Sequence, residues 1–310
     1  MSPKPIIIDC DPGVDDAIAL LLALASPELD ILAITTVAGN VPLSLTQTNA
    51  RKVCELAGRA DMRVYAGCPR PMMRSLTTAE EVHGKTGLDG TELPEPTMPL
   101  QPQHAVDFLI ETLLNATTPI TLAVLGPLTN LAIALIKEPR IQPQIQQVVI
   151  MGGAITHGNI TPSAEFNFYV DPHAAHVVFS SGLNPVLISL DVTHQVLTTT
   201  ERLRQIQAIQ SPVSQAAFEV LSFYGRHDIE QFNLPGSPLH DPCVIAYLLQ
   251  PELFTSQERY VTIETCSELT LGQTIVDWWQ LTDHAPNTTV VQSANAEGFY
   301  TLLVDRLKRL

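Results

Sequence analysis

The sequence has little positive charge. Its 310 residues include 17 lysines and arginines against 32 aspartates and glutamates, which gives a formal net charge of −15. Because nucleic-acid binding depends on lysine and arginine side chains that neutralise phosphates, this balance excludes a DNA or RNA polymer as the expected partner. No basic run interleaved with aromatic residues offsets it. A small neutral substrate or a cation fits the composition better.

Paired cysteines and long apolar runs are also lacking. The five cysteines are scattered without CxxC spacing, which is typical of free thiols in a reducing cytoplasm. The run AIALLLALA, residues 17–25, is shorter than the roughly 20 apolar residues that cross a membrane. The segment MSPKPIII has no signal-peptide pattern. We therefore expect a cytoplasmic protein that does not enter a membrane.

Apolar residues make up much of the sequence. Of the residues, 45% are apolar and 16% are charged, and no low-complexity tract or fixed-period repeat occurs. A chain of 310 residues with this composition can bury one large core. No shift in composition marks a second unit, so we predict a single domain over residues 1–310.

Strand-like runs alternate with helix-like segments along most of the chain. The runs PIIIDC, DILAITTVAG, VYA, ITLAV, QVVIMGGA and NPVLISLDV are typical of strands. Residues 259–265 and 287–294 are typical of late strands, with a closing helix from about 296. This alternation predicts right-handed βαβ units. The predicted fold class is α/β, with one open, mostly parallel, Rossmann-like sheet flanked by helices.

Two longer segments stand apart from this alternation. Residues 67–103 are rich in proline, glycine, threonine and glutamate, and their length indicates a functional loop or a flap. Residues 200–250 are mainly helical, and we expect them to cap the active site. Ligands of such sheets bind beyond the carboxyl ends of the strands. We therefore expect the polar residues that follow several strands to line one crevice.

Four aspartates lie between two apolar runs in IIIDCDPGVDDAIALLLALA: Asp9, Asp11, Asp15 and Asp16. A helix cap needs only one acceptor. Clustered carboxylates raise each other's pKa unless a cation is present, and several hard oxygen ligands suit Ca²⁺ or Mg²⁺ but not Zn²⁺. The stretch alone is equally consistent with a capped helix whose other aspartates are solvated.

Two other motifs fail on particular residues. An EF-hand loop that begins at Asp9 would place Gly13 at the fifth position and Leu20 at the twelfth, where side-chain oxygens are needed. The DxD of DCDPG resembles the haloacid-dehalogenase phosphatase pattern, but Gly13 stands where that pattern has threonine or valine. That pattern also leaves the pair Asp15 and Asp16 unexplained.

The full pattern DxDxxxDD resembles the nucleoside hydrolase family, and further segments agree in family order. These are AITTVAGN (33–40), VHGKTGLDG (82–90), LGPLTNLA (125–132), VIMGGA (149–154), AEFNFYVDP (164–172) and LHDP (239–242). The stretch HGKTGLDGTELPEPT is most similar to the pyrimidine-preferring ribonucleoside hydrolase A branch. The resemblance implies the nucleoside hydrolase fold and hydrolysis of the N-glycosidic bond of ribonucleosides, with pyrimidines preferred.

The resemblance also implies a Ca²⁺ cofactor at the floor of the crevice. Its ligands would be the carboxylates of Asp11, Asp16 and Asp241 and the backbone oxygen of Leu125. Asp9 would support the loop from behind the ligands. The alternative, which the residue alone favours, is a structural aspartate that bonds backbone amides. Calcium takes about six to eight oxygen ligands, and a ribose diol can supply two of them.

The implied chemistry assigns catalytic roles to Asp11, Asp15 and His240. Asp11 would act as general base towards a water beside C1′, and the sugar would pass through an oxocarbenium-like state. Asp15 would hold the ribose 2′-hydroxyl. His240 would protonate the departing base, as a histidine does in part of the family, although a lone histidine is more often structural.

The remaining site residues are implied as substrate contacts. The ribose hydroxyls would be held by Asn40, Asn159, Glu165 and Asn167, and Met151 would pack under the sugar. His83 would lie near the base, and Phe166 would stack on it unless it is a core aromatic. Candidates for base recognition on the helical stretch 218–233, where solvated positions are the alternative, are Tyr224, His227 and Gln231.

Several functions remain open at this stage. The alternatives are a purine-preferring or non-specific nucleoside hydrolase, and a non-catalytic calcium- or ribose-binding protein on the same fold. The phosphatase would release phosphate, and a nucleoside phosphorylase would need phosphate for turnover. The resemblance further implies a homotetramer or a homodimer.

Overall fold

The computed structural model describes residues 2–232 and 235–310, with side chains throughout except those of residues 226–232. Its strands are β1 (Lys4–Cys10), β2 (Leu29–Thr36), β3 (Val64–Ala66), β4 (Ile120–Val124), β5 (Ile145–Met151), β6 (Val186–Ile188), β7 (Leu197–Thr199), β8 (Gly236–Pro238), β9 (Phe254–Arg259), β10 (Val261–Ile263), β11 (Thr274–Val276) and β12 (Thr288–Ala294). Eight of them form one sheet in the order β3-β2-β1-β4-β5-β6-β12-β9. Every neighbouring pair is parallel except β12 and β9. The predicted open, mostly parallel sheet is confirmed.

Helices cover both faces of this sheet. They are α1 (Val14–Leu24), α2 (Leu43–Leu56), α3 (Glu80–His83), α4 (Ala105–Leu114), α5 (Thr129–Lys137), α6 (Phe166–Val170), α7 (Pro172–Phe179), α8 (Leu190–Thr193), α9 (Thr200–Gln207), α10 (Pro212–Phe232), α11 (Pro242–Leu249) and α12 (Ala296–Leu307), with 3₁₀ turns at Pro139–Gln144 and Pro251–Leu253. One core packs α1, α2, α10, α11 and α12 against one face. The other core packs α4, α5 and α7 against the opposite face.

The central strand β1 shows why the sequence forms this layered fold. Ile6, Ile7 and Ile8 are all fully buried. Because successive side chains of a strand point to opposite faces, Ile6 and Ile8 enter one core and Ile7 enters the other. A strand buried on both faces reads as a continuous apolar run. Each such side chain contributes about 1.5–3 kcal/mol through burial.

The late strands differ from the prediction. The strand of the main sheet is β9, Phe254–Arg259, whereas a strand was predicted over residues 259–265. Within that predicted range, β10 pairs with β11 in a separate two-stranded sheet. The edge strand β9 exposes four consecutive residues, 255–258, so its sequence lacks the apolar pattern of a buried strand. The predicted strand over 287–294 and the closing helix are confirmed by β12 and α12.

The two segments that stand apart in the sequence both reach the carboxyl ends of the strands. Residues 67–103 contain the short helix α3 and otherwise little regular structure. The segment 200–250 holds α9, α10 and α11, as predicted, and also β8, which pairs with β7 in an antiparallel ladder that the sequence did not predict. In the part of the chain that the structure describes, no helix is both long and apolar enough to cross a membrane.

Candidate active site

A cavity of about 360 Å³ opens at the carboxyl ends of the parallel strands. Asp15 reaches it from the helix after β1, Asn40 from the loop after β2, Leu125 from the residue after β4, and Met151 from the end of β5. Its volume lies within the range of about 300–1,000 Å³ found for small-molecule sites. The crevice predicted at this edge of the sheet is therefore present.

The cavity wall contains most of the predicted site residues. It is lined by Asp15, Asn40, Ala79, Glu81, Val82, His83, Leu125, Met151, Asn159, Ile160, Glu165, Phe166, Asn167, His194, Tyr224, Pro238, His240 and Asp241. Among these described side chains there is no lysine or arginine. Asp11 and Asp16 are not in the lining but both hydrogen-bond to Asn40. His227 and Gln231 lie outside the residues whose side chains the structure describes.

Asp16 folds the loop between β1 and α1. Its Oδ1 accepts a hydrogen bond from the backbone N–H of Asp11 at 3.1 Å, and its Oδ2 accepts one from Gly13 N–H at 2.9 Å. The Nδ2 of Asn40 also donates to Oδ2 at 3.0 Å. The loop passes so close to His83 that a Cβ at Gly13 would lie 2.4 Å from Nδ1 of that ring. The glycine of DPG is therefore required by close packing.

Asp11 lies between two glycine loops. A Cβ at Gly39 would be 2.0 Å from Oδ2 of Asp11, and one at Gly126 would be 2.2 Å from Oδ1. Oδ2 accepts a hydrogen bond from the backbone N–H of Asn40 at 2.7 Å, whereas the buried Oδ1 has no partner among the described residues. Burial and the neighbouring Asp16 raise the pKa of Asp11 well above its ordinary value. Burial and the neighbouring carboxylates therefore outweigh the hydrogen bond from Asn40 in setting this pKa.

Three buried carboxylates converge beside the cavity. One oxygen from each of Asp15, Asp16 and Asp241 lies within 4.8 Å of the others. Burial and the charge of Asp16 raise the pKa of Asp15 to about 8, and burial and Asp15 raise the pKa of Asp241. The Oδ1 of Asp15 has no hydrogen-bond partner in the described part of the chain. A set of hard oxygens with raised pKa values fits a divalent cation such as Ca²⁺.

The partners of Asp9 differ from those expected. Its Oδ1 accepts hydrogen bonds from the Thr35 hydroxyl at 2.6 Å and from Nδ2 of Asn130 at 2.8 Å, not from backbone amides. Burial raises the pKa of Asp9 to about 6, although these two hydrogen bonds act to lower it. Asn130 also donates to the Thr36 carbonyl and accepts from Cys68 N–H. Asp9 therefore anchors the ends of neighbouring strands and lies behind the site.

The residues predicted to hold ribose also build the wall. Glu165 accepts backbone hydrogen bonds from Gly153, Asn167 and Phe168 at 2.8, 2.8 and 3.2 Å. Burial raises its pKa to about 7. Asn167 donates through Nδ2 to the Leu125 carbonyl at 2.7 Å. These contacts fix two polar side chains at the cavity surface.

Two further predicted residues of the same wall lie beside them. The Oδ1 of Asn159 accepts from Phe166 N–H at 2.9 Å. Phe166 packs in a small apolar cluster with Ala79 and Val170 and also lines the cavity, so it is both a core aromatic and a cavity residue. Met151 is buried and forms the end of β5.

The segment 67–103 brings His83 to the site. Nδ1 of His83 accepts a 3.1 Å hydrogen bond from the backbone N–H of Val14, so the neutral ring carries its proton on Nε2. Nδ1 is also 3.9 Å from Oδ1 of Asp15. The rings of His83 and Tyr224 lie 5.3 Å apart, centroid to centroid. This loop and helix α10 therefore meet at one side of the cavity.

His240 lies at the same cavity with two neighbours that the sequence analysis missed. Its Nδ1 is 2.7 Å from the Thr193 hydroxyl, and its ring centroid is 5.8 Å from that of His194. Burial, with a smaller effect of His194, lowers the pKa of His240 well below its ordinary value. Thr193 and His194 follow the strand β6 in the sequence SLDVTH. The rule that polar residues after strands line the crevice would have identified them.

Comparison with known sequences identifies similar proteins along nearly the whole chain. The sequence profile of the family described as inosine-uridine preferring nucleoside hydrolase matches residues 6–301. The chain is 50% identical to the pyrimidine-specific ribonucleoside hydrolase RihA of Photobacterium profundum, over 305 residues and 98% of both chains. It is 48% identical to the RihA of Escherichia coli, over the same length and coverage.

Solved structures give the same result for the fold. A plant nucleoside hydrolase, PpNRh1, superposes with a TM-score of 0.91 at 33% identity and covers 99% of both chains. A purine-preferring ribonucleoside hydrolase from Gardnerella vaginalis superposes with a TM-score of 0.92 at 31% identity and covers 98% of both chains.

Proposed function

Because the chain belongs to the inosine-uridine preferring nucleoside hydrolase family and is therefore an N-glycosyl hydrolase, we propose that it hydrolyses ribonucleosides to free base and ribose. The observation that carries this proposal is the buried group Asp15, Asp16 and Asp241 at a cavity without lysine or arginine in its described lining. Carboxylates there can hold a cation and can also stabilise positive charge that develops on a sugar.

The proposed substrates are pyrimidine ribonucleosides, uridine and cytidine. This preference is supported by two relatives at 50% and 48% identity whose names state that specificity. The second candidate is a purine-preferring or non-specific hydrolase. It is favoured by the close superposition of the purine-preferring Gardnerella vaginalis enzyme, which shares the fold at 31% identity.

A reducing-sugar assay over a panel of nucleosides tests both candidates. In phosphate-free buffer with Ca²⁺, we expect uridine and cytidine to be cleaved faster than inosine, and a chelator to stop turnover. Equal or faster cleavage of inosine would contradict the pyrimidine preference and leave the hydrolase intact. Ribose binding without base release would indicate a non-catalytic binding protein. Turnover that requires added phosphate would indicate a phosphorylase, and phosphate release from monoesters would indicate a phosphatase.

The proposed cofactor is Ca²⁺, held by the carboxylates of Asp11, Asp16 and Asp241 and the backbone oxygen of Leu125. The donor set supports it, because Oδ1 of Asp11 is buried without a described partner and the Leu125 carbonyl accepts a single described hydrogen bond. Burial raises the pKa values of Asp11 and Asp241, and a cation bound beside these carboxylates would favour their ionised forms. When bound, Ca²⁺ would supply positive charge that favours ionisation of water and orients the ribose diol.

The proposed reaction uses the aspartates in two roles. Asp11 takes a proton from the attacking water through a carboxylate that the Asn40 N–H holds at 2.7 Å. The water oxygen bonds to C1′ as the bond between C1′ and the base breaks, and the bonding electrons leave with the base. Asp15 orients the ribose 2′-hydroxyl. A cation bound beside it would favour its ionised form, and that negative charge would stabilise the positive charge that develops on the oxocarbenium-like sugar.

The wall of the cavity supplies the proposed substrate contacts. Asn40, Asn159, Glu165 and Asn167 bind ribose hydroxyls, and Met151 packs under the sugar. His83, Phe166 and Tyr224 surround the base, and His240 gives the departing base a proton. All of these side chains line the cavity, which supports the assignment. His227 and Gln231 remain candidates for base recognition from the sequence.

We further propose that the protein works in the cytoplasm as a homodimer or a homotetramer. Exposed apolar side chains support assembly, because Leu269, Trp279 and Leu281 are 84–86% exposed in this chain. Subunit contacts commonly cover such side chains. Light scattering after size-exclusion chromatography measures the assembled mass, and a monomer at micromolar concentration would contradict the proposal.

A further inference from the structure

Thr193 is a fully buried residue at the end of helix α8, behind one wall of the cavity. Its hydroxyl oxygen lies 2.7 Å from Nδ1 of His240, which is also buried. The contact joins α8, which follows β6, to the segment that follows β8. It is therefore a tertiary contact between side chains 47 residues apart.

The hydrogen-bonding groups around Thr193 determine which nitrogen of His240 meets the cavity. The Thr193 hydroxyl has one proton, and the Leu190 carbonyl, 3.4 Å away, can only accept it. A chain in which Nδ1–H donates to the hydroxyl and the hydroxyl donates to Leu190 satisfies all three groups. In either orientation of the hydroxyl, Nδ1 forms a hydrogen bond with Thr193, and Nε2 is the nitrogen left for a ligand.

We propose that Thr193 is a positioning residue that holds the imidazole of His240 with Nε2 directed at the departing base. This inference rests on the proposed hydrolysis of nucleosides. In that reaction, the bonding electrons leave with the base as its bond to C1′ breaks. His240 reacts from its protonated form: its Nε2 proton passes to the base, while Nδ1–H stays on the Thr193 hydroxyl, so that the neutral ring remains. The attacking water supplies the oxygen at C1′ and gives a proton to Asp11, and solvent returns a proton to Nε2 of His240.

The contact also supports the fold, so a test must separate positioning from stability. A merely structural contact would lower turnover of every riboside by a similar factor. A contact that positions a proton donor affects only substrates whose leaving group needs the proton. Uridine needs it, whereas 4-nitrophenyl β-D-ribofuranoside releases a nitrophenolate that is stable without it. The ratio of kcat for the two substrates is therefore the measurement.

The experiment compares Thr193→Val, which removes the hydroxyl at nearly constant volume, with Thr193→Ser, which keeps it. Thr198→Val is the matched control, because that buried hydroxyl also makes a 2.7 Å contact, with the Tyr300 hydroxyl, away from the cavity lining. All variants are assayed with Ca²⁺ on both substrates after their melting temperatures are measured. Thr193→Ala replaces the valine variant if that protein is insoluble.

For Thr193→Val we expect kcat on uridine to fall by about 10- to 100-fold, a part of the roughly 10²- to 10⁴-fold that a positioned proton donor contributes. We expect KM and the nitrophenyl riboside rate to change by less than about threefold. Serine should restore uridine turnover, and Thr198→Val should leave the ratio unchanged. An equal loss on both substrates, or no loss on uridine, would overturn the proposal. If the wild-type protein releases no ribose from uridine, the proposed function fails and this inference fails with it.

Discussion

The backbone N–H of Asn40 donates a 2.7 Å hydrogen bond to Oδ2 of Asp11 and so joins the loop after β2 to the end of β1. The other carboxylate oxygen, Oδ1, is buried and has no partner within the described residues. Two glycines, Gly39 and Gly126, leave space for this carboxylate that any larger residue would fill. One oxygen of Asp11 is therefore held by the fold, and the other is left for a ligand.

Asp11→Asn should separate these two roles. The amide oxygen of asparagine can still accept the Asn40 hydrogen bond, so the variant should fold, whereas the amide cannot take a proton from water. We expect kcat on uridine to fall by about 10²- to 10⁴-fold, the usual contribution of a general base, and Ca²⁺ to bind more weakly. Stopped assays and calorimetry measure the two effects. Asp30→Asn, at an exposed position, is the control, and near-normal kcat in Asp11→Asn would remove Asp11 as the base.

Substitutions of Asp15 and Asp16 test which carboxylates hold the cation. The structure groups both with Asp241 within 4.8 Å, although only Asp16 is proposed as a ligand. We expect Asp16→Asn to lower Ca²⁺ affinity by at least about tenfold, because it removes charge and places an amide nitrogen against backbone N–H donors. Asp15→Asn should change Ca²⁺ affinity much less and lose turnover. Calorimetric titration decides, and an equal loss of affinity in both variants would place Asp15 among the ligands.

Gly126→Ala tests the space around Asp11. Its Cβ would lie 2.2 Å from Oδ1 of Asp11 and 3.1 Å from the Asp11 backbone nitrogen, so the carboxylate must move. We expect a cost in unfolding free energy of about 1–3 kcal/mol, as for other overpacked positions, together with loss of most turnover. Urea unfolding and the uridine assay measure the two effects.

Gly58→Ala is the control for this prediction. Gly58 has φ of +70°, and its added Cβ would meet nothing within 4 Å. Alanine there should cost about 1–2 kcal/mol through backbone strain and leave kcat unchanged. If Gly126→Ala kept normal turnover at the same loss of stability, the close approach to Asp11 would have no functional meaning.

The central sheet could be predicted because its strands are buried on both faces. Such strands appear as apolar runs, as Ile6, Ile7 and Ile8 show. Strand β9 could not be predicted in the same way, since an edge strand with residues 255–258 exposed needs no apolar alternation. The short pair β7 and β8 depends on the tertiary fold, because three residues each carry too little pattern. The strands that could not be predicted are therefore those that depend on one-sided packing or on long-range contacts.

The site likewise contains residues that could be predicted from the sequence and contacts that could not. The aspartates, Asn40, Glu165 and Asn167 belong to ordered motifs, so a resemblance places them, and all are buried at one edge of the sheet. The partners of Asp9 are the side chains of Thr35 and Asn130, which are 26 and 121 residues away. No local pattern connects positions so far apart. The close contact of Thr193 with His240 was missed for the same physical reason.

Glu165→Gln should destabilise the fold through a mismatch of donors. Both carboxylate oxygens accept backbone hydrogen bonds, Oε1 from Asn167 and Oε2 from Gly153 and Phe168. Glutamine offers one acceptor oxygen and an NH₂ group, so in either orientation at least one buried N–H faces a donor. The expected cost is about 1–3 kcal/mol for each N–H left unpaired. Urea unfolding of the two proteins measures it, and an unchanged midpoint would contradict the arrangement.

The pH dependence of that cost follows from the raised pKa of Glu165. Burial raises this pKa from 4.5 to about 7, so between these values the folded protein holds a proton that the unfolded chain has lost. Wild-type stability therefore decreases as pH rises through this window, by an amount on the order of 3 kcal/mol from this group, and then levels off. Glutamine does not titrate, and a protonated carboxyl oxygen can still accept where an amide nitrogen cannot. The stability difference between wild type and Glu165→Gln should consequently be largest near pH 5 and smaller at pH 8, with other titrating groups cancelling between the two proteins. A difference that grows with pH would mean that the three amide donors keep Glu165 ionised throughout, and that their combined effect outweighs burial.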